Sequence, residues 1–182
     1  MTGTVQAVRR SGFTAQDRER VLDLWSAVTE AGGAVGFVPG AARADIETAL
    51  RAHEDSMRAG YTVAVLVRID AEIVAMAFLE QVRNVLLAHG RWVYRVMVDP
   101  ARQRSGLGRH LMHGVHDVAR SDGVEIISLG VRGGYGTEAF YASVGYLEVG
   151  RIVGAIRVAP GDDRDDITMS RRLDRHADPG AR

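Results

Sequence analysis

A chain of 182 residues with 46% hydrophobic content is long enough for one domain with a substantial core. Its 23 basic residues, all arginine, balance 23 acidic ones, so net charge gives no reason to expect a nucleic-acid or anionic-membrane partner. The absence of cysteine excludes disulfides, thiolate metal ligation and a cysteine nucleophile.

The first ten residues lack the apolar segment of a signal peptide and no run approaches membrane-spanning length, which makes a cytoplasmic location the expectation. Val5 to Arg10 suits a short first strand. Thr14 with Asp17 three residues on marks a helix start, and Val21, Leu24, Trp25 and Val28 then recur at helical spacing. Residues 31–40 are glycine-rich, yet they carry Val35, Phe37 and Val38, which are poor linker residues; this loop is expected to wall a binding site. Ile46, Ala49, Leu50, His53 and Met57 form the stripe of a second helix closed by Gly60. Tyr61 to Ile69 and Glu72 to Val82 read as apolar strands joined by a tight turn at Asp70-Ala71, both in the middle of a covered sheet.

Arg91 to Val98 is a further strand, broken by Asp99-Pro100 and followed by Ala101-Arg102-Gln103-Arg104-Ser105-Gly106-Leu107-Gly108-Arg109. Past Gly106, Leu107, Leu111, Val115 and Val118 make an apolar stripe, with Arg109, His113, His116 and Arg120 expected on the opposite face. A helix therefore starts at the glycines, and its unpartnered N–H groups and partial positive charge suit a phosphate. The loop carries no Gly-Lys-Ser/Thr ending and no third glycine at Leu111, which weakens a mononucleotide or a dinucleotide loop. His110, His113 and His116 step round the helix axis rather than converging, so no metal site is expected. Val124 to Val131 reads as a buried strand, Glu138 to Ser143 as a short helix, Tyr146 to Val158 as a strand bent at Gly150 and Gly154, residues 160–164 as a polar turn and Asp166 to Arg171 as the last strand. The expected organisation is one domain over residues 1–173 and a disordered tail over 174–182. Element order predicts an α/β or α+β mixed sheet with helices on both faces.

Gln103-Arg104-Ser105-Gly106-Leu107-Gly108 resembles the coenzyme A pyrophosphate loop of the GNAT acyltransferase superfamily. Phe140-Tyr141-Ala142-Ser143-Val144-Gly145-Tyr146 resembles the segment of that family whose tyrosine lies next to the coenzyme sulfur. The likeness to the tabtoxin-resistance type of acetyltransferase extends from Gly32 to Phe37 through these motifs to Val149-Gly150. The resemblance implies the single-domain GNAT fold, a mostly antiparallel mixed sheet splayed between its fourth and fifth strands. It also implies acetyl-CoA as donor and the amine of a small, amino-acid-like or antibiotic-like molecule as acceptor.

On that basis the cofactor-binding candidates are Val96, Met97, Val98, Gln103, Arg104, Ser105, Gly106, Leu107, Gly108, Arg109 and Tyr141. Backbone groups of Val96 and Val98 would bond the pantetheine arm, and a backbone N–H near Met97 or Val98 would face the thioester oxygen. Tyr141 is the candidate donor to the departing thiolate. The fourth-strand positions where relatives carry an acid are Trp92 and Tyr94, which leaves Glu80, Glu138 and His89 as candidate bases, or water. Phe37, Tyr94 and Arg132 are acceptor-side candidates, with Arg132 suited to a carboxylate on the acceptor. Alternatives from other classes are a coenzyme A-binding sensor without turnover and a peptide N-acetyltransferase. A homodimer through the late strands is a further expectation.

Overall fold

The computed structural model describes residues 3–173; the expected disordered tail lies outside them. The elements follow the order β1 (Thr4–Val8), α1 (Ala15–Glu30), α2 (Arg43–Arg58), β2 (Thr62–Ile69), β3 (Glu72–Glu80), β4 (Gly90–Val98), α3 (Leu107–Ser121), β5 (Ile126–Arg132), α4 (Thr137–Ser143), β6 (Leu147–Ala159) and β7 (Asp162–Arg172). They build one seven-stranded sheet in the order β1-β2-β3-β4-β5-β7-β6, antiparallel throughout except for the β4–β5 pair. This is the expected single-domain α+β arrangement.

Local chemistry sets the helix ends. The Thr14 hydroxyl accepts the Asp17 N–H at 3.1 Å, satisfying one of the first-turn amides of α1. At the end of α2, Gly60 takes a positive φ and Tyr61 N–H returns to the Ser56 carbonyl at 2.9 Å, which stops the helix.

Helices cover both faces. α1 and α2 bury Val21, Leu22, Trp25, Ile46, Leu50 and Met57 against Ala64, Leu66, Met76, Phe78 and Met97. α3 packs Leu107, Leu111, Met112, Val115 and Ala119 against the other face, with Val65, Val67, Ala75 and Ala77. β2 and β3 are buried on both sides, as their continuous apolar runs require.

Three expectations are corrected. His116 does not share the polar face of α3 with Arg109 and His113; it is 2% exposed and hydrogen-bonded inside. Met112 and Ala119 take the buried stripe positions, while Val118 is only partly buried. Residues 162–164 are not part of the turn, because β7 already begins at Asp162, four residues before the expected Asp166; pairs such as Arg157–Asp163 and Arg151–Asp165 bind its polar start across to β6. The expected irregularity near Gly150 and Gly154 is present as shifts in the β6–β7 register.

Two features open the sheet where β4 and β5 meet. Their parallel pairing covers only Gly90–Val93 against Ile126–Leu129, so the strands separate beyond it. On the other edge of β4, Arg95 and Val96 together oppose Ala77, and Arg95 sits at φ +53°. Such a bulge bends and twists its strand.

Candidate active site

The splay holds a cavity of about 390 Å³. One end is the loop from Gln103 to Gly108 with Arg109, the middle runs between Val96, Val98 and Gly130–Arg132, and the far wall is Val28 with Gly33–Val35. Thr137, Phe140 and Tyr141 from α4 line one side. The glycine-rich loop between α1 and α2 thus walls the cavity.

The loop end is built for an anion. The first intrahelical bond of α3 runs from His110 N–H to the Gly106 carbonyl, so the amides of Leu107, Gly108 and Arg109 have no partner within the helix. No side chain caps this end, in contrast to α1. Arg104 and Gly106 both take positive φ, 60° and 87°, which turns successive amides towards one concavity. A Cβ at Gly106 would meet nothing within 4 Å, so that side of the backbone is open to an approaching group. Gly108 allows Phe140 to pack close, since a Cβ there would lie 3.3 Å from its ring. Arg109 is positioned by donating to the Ser143 carbonyl and hydroxyl at 3.2 and 3.3 Å. These donors fit a diphosphate.

Other predicted residues divide by where they point. Leu107 is buried in the core, and the Ser105 hydroxyl donates to the Arg102 carbonyl. Met97 is wholly buried on the α1–α2 side, leaving its backbone as the part facing the chemistry proposed for it. Tyr94 is 38% exposed and stacks near Trp92; neither it nor Phe37 lines the cavity. Phe37 packs edge-on against Trp25, and its carbonyl accepts a hydrogen bond from Arg132 at 3.3 Å.

Tyr141 lies on the cavity wall, its ring edge-on to those of Phe140 and Tyr146. Burial pushes its phenol well above the ordinary tyrosine range, so it stays protonated. Behind it, His116 Nε2 and the Tyr146 hydroxyl are 3.2 Å apart, and Arg171 lies 3.2 Å from His116 Nδ1. A guanidinium can only donate, so Nδ1 accepts and Nε2–H donates to Tyr146. Burial, with Arg171 and Arg120 nearby, lowers the His116 pKa to about 3.

The candidate bases lie off the cavity wall, whose lining among the described residues includes no Asp, Glu or His. Glu80 faces His53 at 3.6 Å, and that contact holds its carboxyl below the usual range. It borders a separate hollow with Trp92 and Tyr94. Glu138 sits in the first turn of α4 with one carboxylate oxygen buried and without a hydrogen-bond partner among the described residues. Among the described residues no three His, Cys, Asp or Glu side chains gather as a metal site requires, and no helix is long and apolar enough to cross a membrane.

One residue beside the site escaped sequence reading. Arg95 follows the exposed Tyr94 in the bulge, and its guanidinium lies 5.3 Å from the Trp25 ring centre, beneath Gly36. Nothing in the residue order announces a bulge at an arginine with positive φ.

The family model for the acetyltransferase (GNAT) family matches residues 34–146, a span holding both the glycine loop and Tyr141. No curated protein matches by sequence. Among solved structures, the ribosomal-protein-S18-alanine N-acetyltransferase of Escherichia coli is 17% identical, with 98% of this chain and 100% of that one covered at a TM-score of 0.71. The acetyltransferase candidate yncA of Salmonella typhimurium, solved with its cofactor acetyl-CoA, is 17% identical with full coverage of both chains and a TM-score of 0.73. A phosphinothricin N-acetyltransferase candidate is 15% identical over 94% of this chain and 99% of that one, with a TM-score of 0.74. At these identities the structures speak for the fold, and the family model for the membership: the chain belongs to the acetyltransferase (GNAT) family.

Proposed function

We propose that the chain moves the acetyl group of acetyl-CoA directly onto the amine of a small, amino-acid-like or antibiotic-like acceptor. The observation that carries this reading is the continuity of one cavity from the uncapped start of α3, through the β4–β5 splay, to Tyr141. The amides after Gly106, with Gln103, Arg104 and Arg109, would hold the diphosphate. The backbone of Val96 and Val98 would take the pantetheine arm as an added strand. The acceptor nitrogen attacks the thioester carbon, the carbon–sulfur bond breaks, and the thiolate leaves towards Tyr141. A phenol held above its usual pKa serves as a hydrogen-bond donor to sulfur rather than as a base. A backbone N–H near Met97 or Val98 would receive the developing oxyanion.

Among the described residues no Asp, Glu or His lines the cavity, which supports loss of the amine proton to water, with Glu80 or Glu138 acting at most through solvent. A small acceptor is supported by the Gly33–Val35 stretch that lines the cavity, part of a loop that Arg132 holds through the Phe37 carbonyl. The likenesses in fold to a phosphinothricin and to a ribosomal-protein acetyltransferase do not choose between the two. The motif resemblance to the tabtoxin-resistance type favours the small molecule. Self-association through the late strands is supported by edge strand β6, which leaves Leu147, Val149, Ile152 and Val153 exposed.

The test is thiol release from acetyl-CoA with a panel of free amino acids, simple amines and short peptides, with mass spectrometry of the products. Acetylated small amines are expected. Acetylation of peptides alone, or no uptake of acetyl-CoA by calorimetry, overturns the reading.

A further inference from the structure

Arg95 and Arg132 reach the same loop from two strands that have splayed apart. Arg132, near the end of β5, donates to the Phe37 carbonyl at 3.3 Å. Arg95, in the β4 bulge, lies so close beneath the preceding residue that a Cβ on Gly36 would stand 2.1 Å from its Nη1 and 2.8 Å from its Nη2. Gly36 holds φ at +95°, so the loop is shaped around the guanidinium. Neither arginine forms an ion pair with a carboxylate among the described residues.

For Arg95 this lack is expensive. Burial lowers its pKa, Nε is buried with no hydrogen-bond partner among the described residues, and the face of Trp25 lies 5.3 Å from the charge. Most other arginines near the sheet face a carboxylate: Arg18 meets Glu47 and Glu54, Arg68 meets Asp17, and Arg151 meets Glu148 and Asp165. A partly desolvated guanidinium with unused donors is poorly placed for stability alone. It is well placed for an anion that arrives with a ligand.

The cofactor's diphosphate does not answer this need, because the amides suited to it belong to the start of α3 after Gly106, whereas Arg95 packs under Gly36, the neighbour of the cavity-lining Val35. We infer that Arg95 and Arg132, bridged by Gly36 and Phe37, form an anion clamp for the acceptor, which is therefore an amine bearing an acidic group, a carboxylate or a phosphorus oxyanion. This assignment rests on the acetyl-transfer reading above. The clamp grips the acid and leaves the amine free to turn towards the thioester between Val96 and Tyr141. Discrimination against neutral amines follows, because a neutral group leaves the desolvated guanidinium unmatched.

The experiment compares matched acceptors by thiol release: each free amino acid against its α-amide, and aminoalkyl phosphonates against plain alkylamines. These are run on wild type, Arg95→Met, Arg95→Lys, Arg132→Gln and Gly36→Ala. Wild type is expected to prefer the acidic member of its best pair, with Arg95→Met lowering kcat/KM for that member about 10- to 100-fold, mainly through KM. The neutral member should change less than about threefold. Arg95→Lys should recover part of the preference, and Gly36→Ala should erode it by displacing the guanidinium while keeping its charge. The carboxylate and phosphonate series reveal which acid the clamp takes. Calorimetric affinity for acetyl-CoA, unchanged in Arg95→Met, shows that the variant is folded. If neutral amines are used as well as acidic ones, or if the acid-to-amide ratio is the same in wild type and Arg95→Met, the clamp is wrong while acetyl transfer stands. If no amine releases thiol, the underlying reading and the clamp fall together.

Discussion

The protonation state of Tyr141 decides what its hydroxyl can do. The unperturbed phenol at about 10 already lies above a thiol at about 8.5, and burial widens that gap. On the proposed reading, full proton transfer to the departing sulfur would therefore be uphill, whereas a hydrogen bond to it would be favourable throughout. That interaction would strengthen as negative charge gathers on sulfur, so it would act on the transition state more than on the bound thioester. Tyr141→Phe removes the hydroxyl and keeps the ring contacts with Phe140 and Tyr146. The variant should lose about 10²-fold in kcat while calorimetric affinity for acetyl-CoA stays within about twofold. Equal kcat in the two proteins would remove Tyr141 from the chemistry.

At the scale of elements, α3 is where sequence reading succeeded and failed within one helix. Its start was legible, because a glycine loop with no capping side chain has few other uses. Its faces were less so. A histidine three residues after His113 reads as polar, yet the 3.6-residue turn carries position 116 inwards, where Arg171 of β7 donates to its Nδ1 and its Nε2–H donates to the Tyr146 hydroxyl. The bulge at Arg95 and the early start of β7 were hidden for a related reason: each depends on the partner strand, which the chain's own periodicity does not report. The buried His116 ties α3 to β7 and to the start of β6 only while neutral. Its native pKa of about 3 is below the ordinary 6.5, so the unfolded chain binds the extra proton between those values. Its contribution to stability is complete above about pH 6.5 and declines as pH falls towards 3. Between pH 7 and pH 5 wild type should lose about 1–2 kcal/mol more than His116→Gln in urea unfolding. Parallel losses in the two proteins would show that the ring is not held neutral.

For the whole molecule, the splay divides the sheet's support. β1 to β4 rest on α1 and α2 on one face and α3 on the other, whereas β5, β7 and β6 join them through four paired positions of β4 and through the core beneath α3 and α4. A ligand lying in the gap would touch both parts: the β4 backbone and α3 start on one side, Gly130–Arg132 and Tyr141 on the other. The α1–α2 loop, tied to β5 through Arg132 and to β4 through Arg95, closes over the far end. Binding should therefore stabilise the two sides together rather than one strand or helix. Acetyl-CoA at about 100 times its dissociation constant adds about 2.7 kcal/mol to unfolding, which in a chain of this size raises the melting midpoint by roughly 5–10 °C. Amide exchange should slow both at residues 96–109 and at residues 130–141. Slowing confined to residues 103–109, with the splay unprotected, would mean that the diphosphate docks without the thioester reaching Tyr141, and the single continuous site would have to be abandoned.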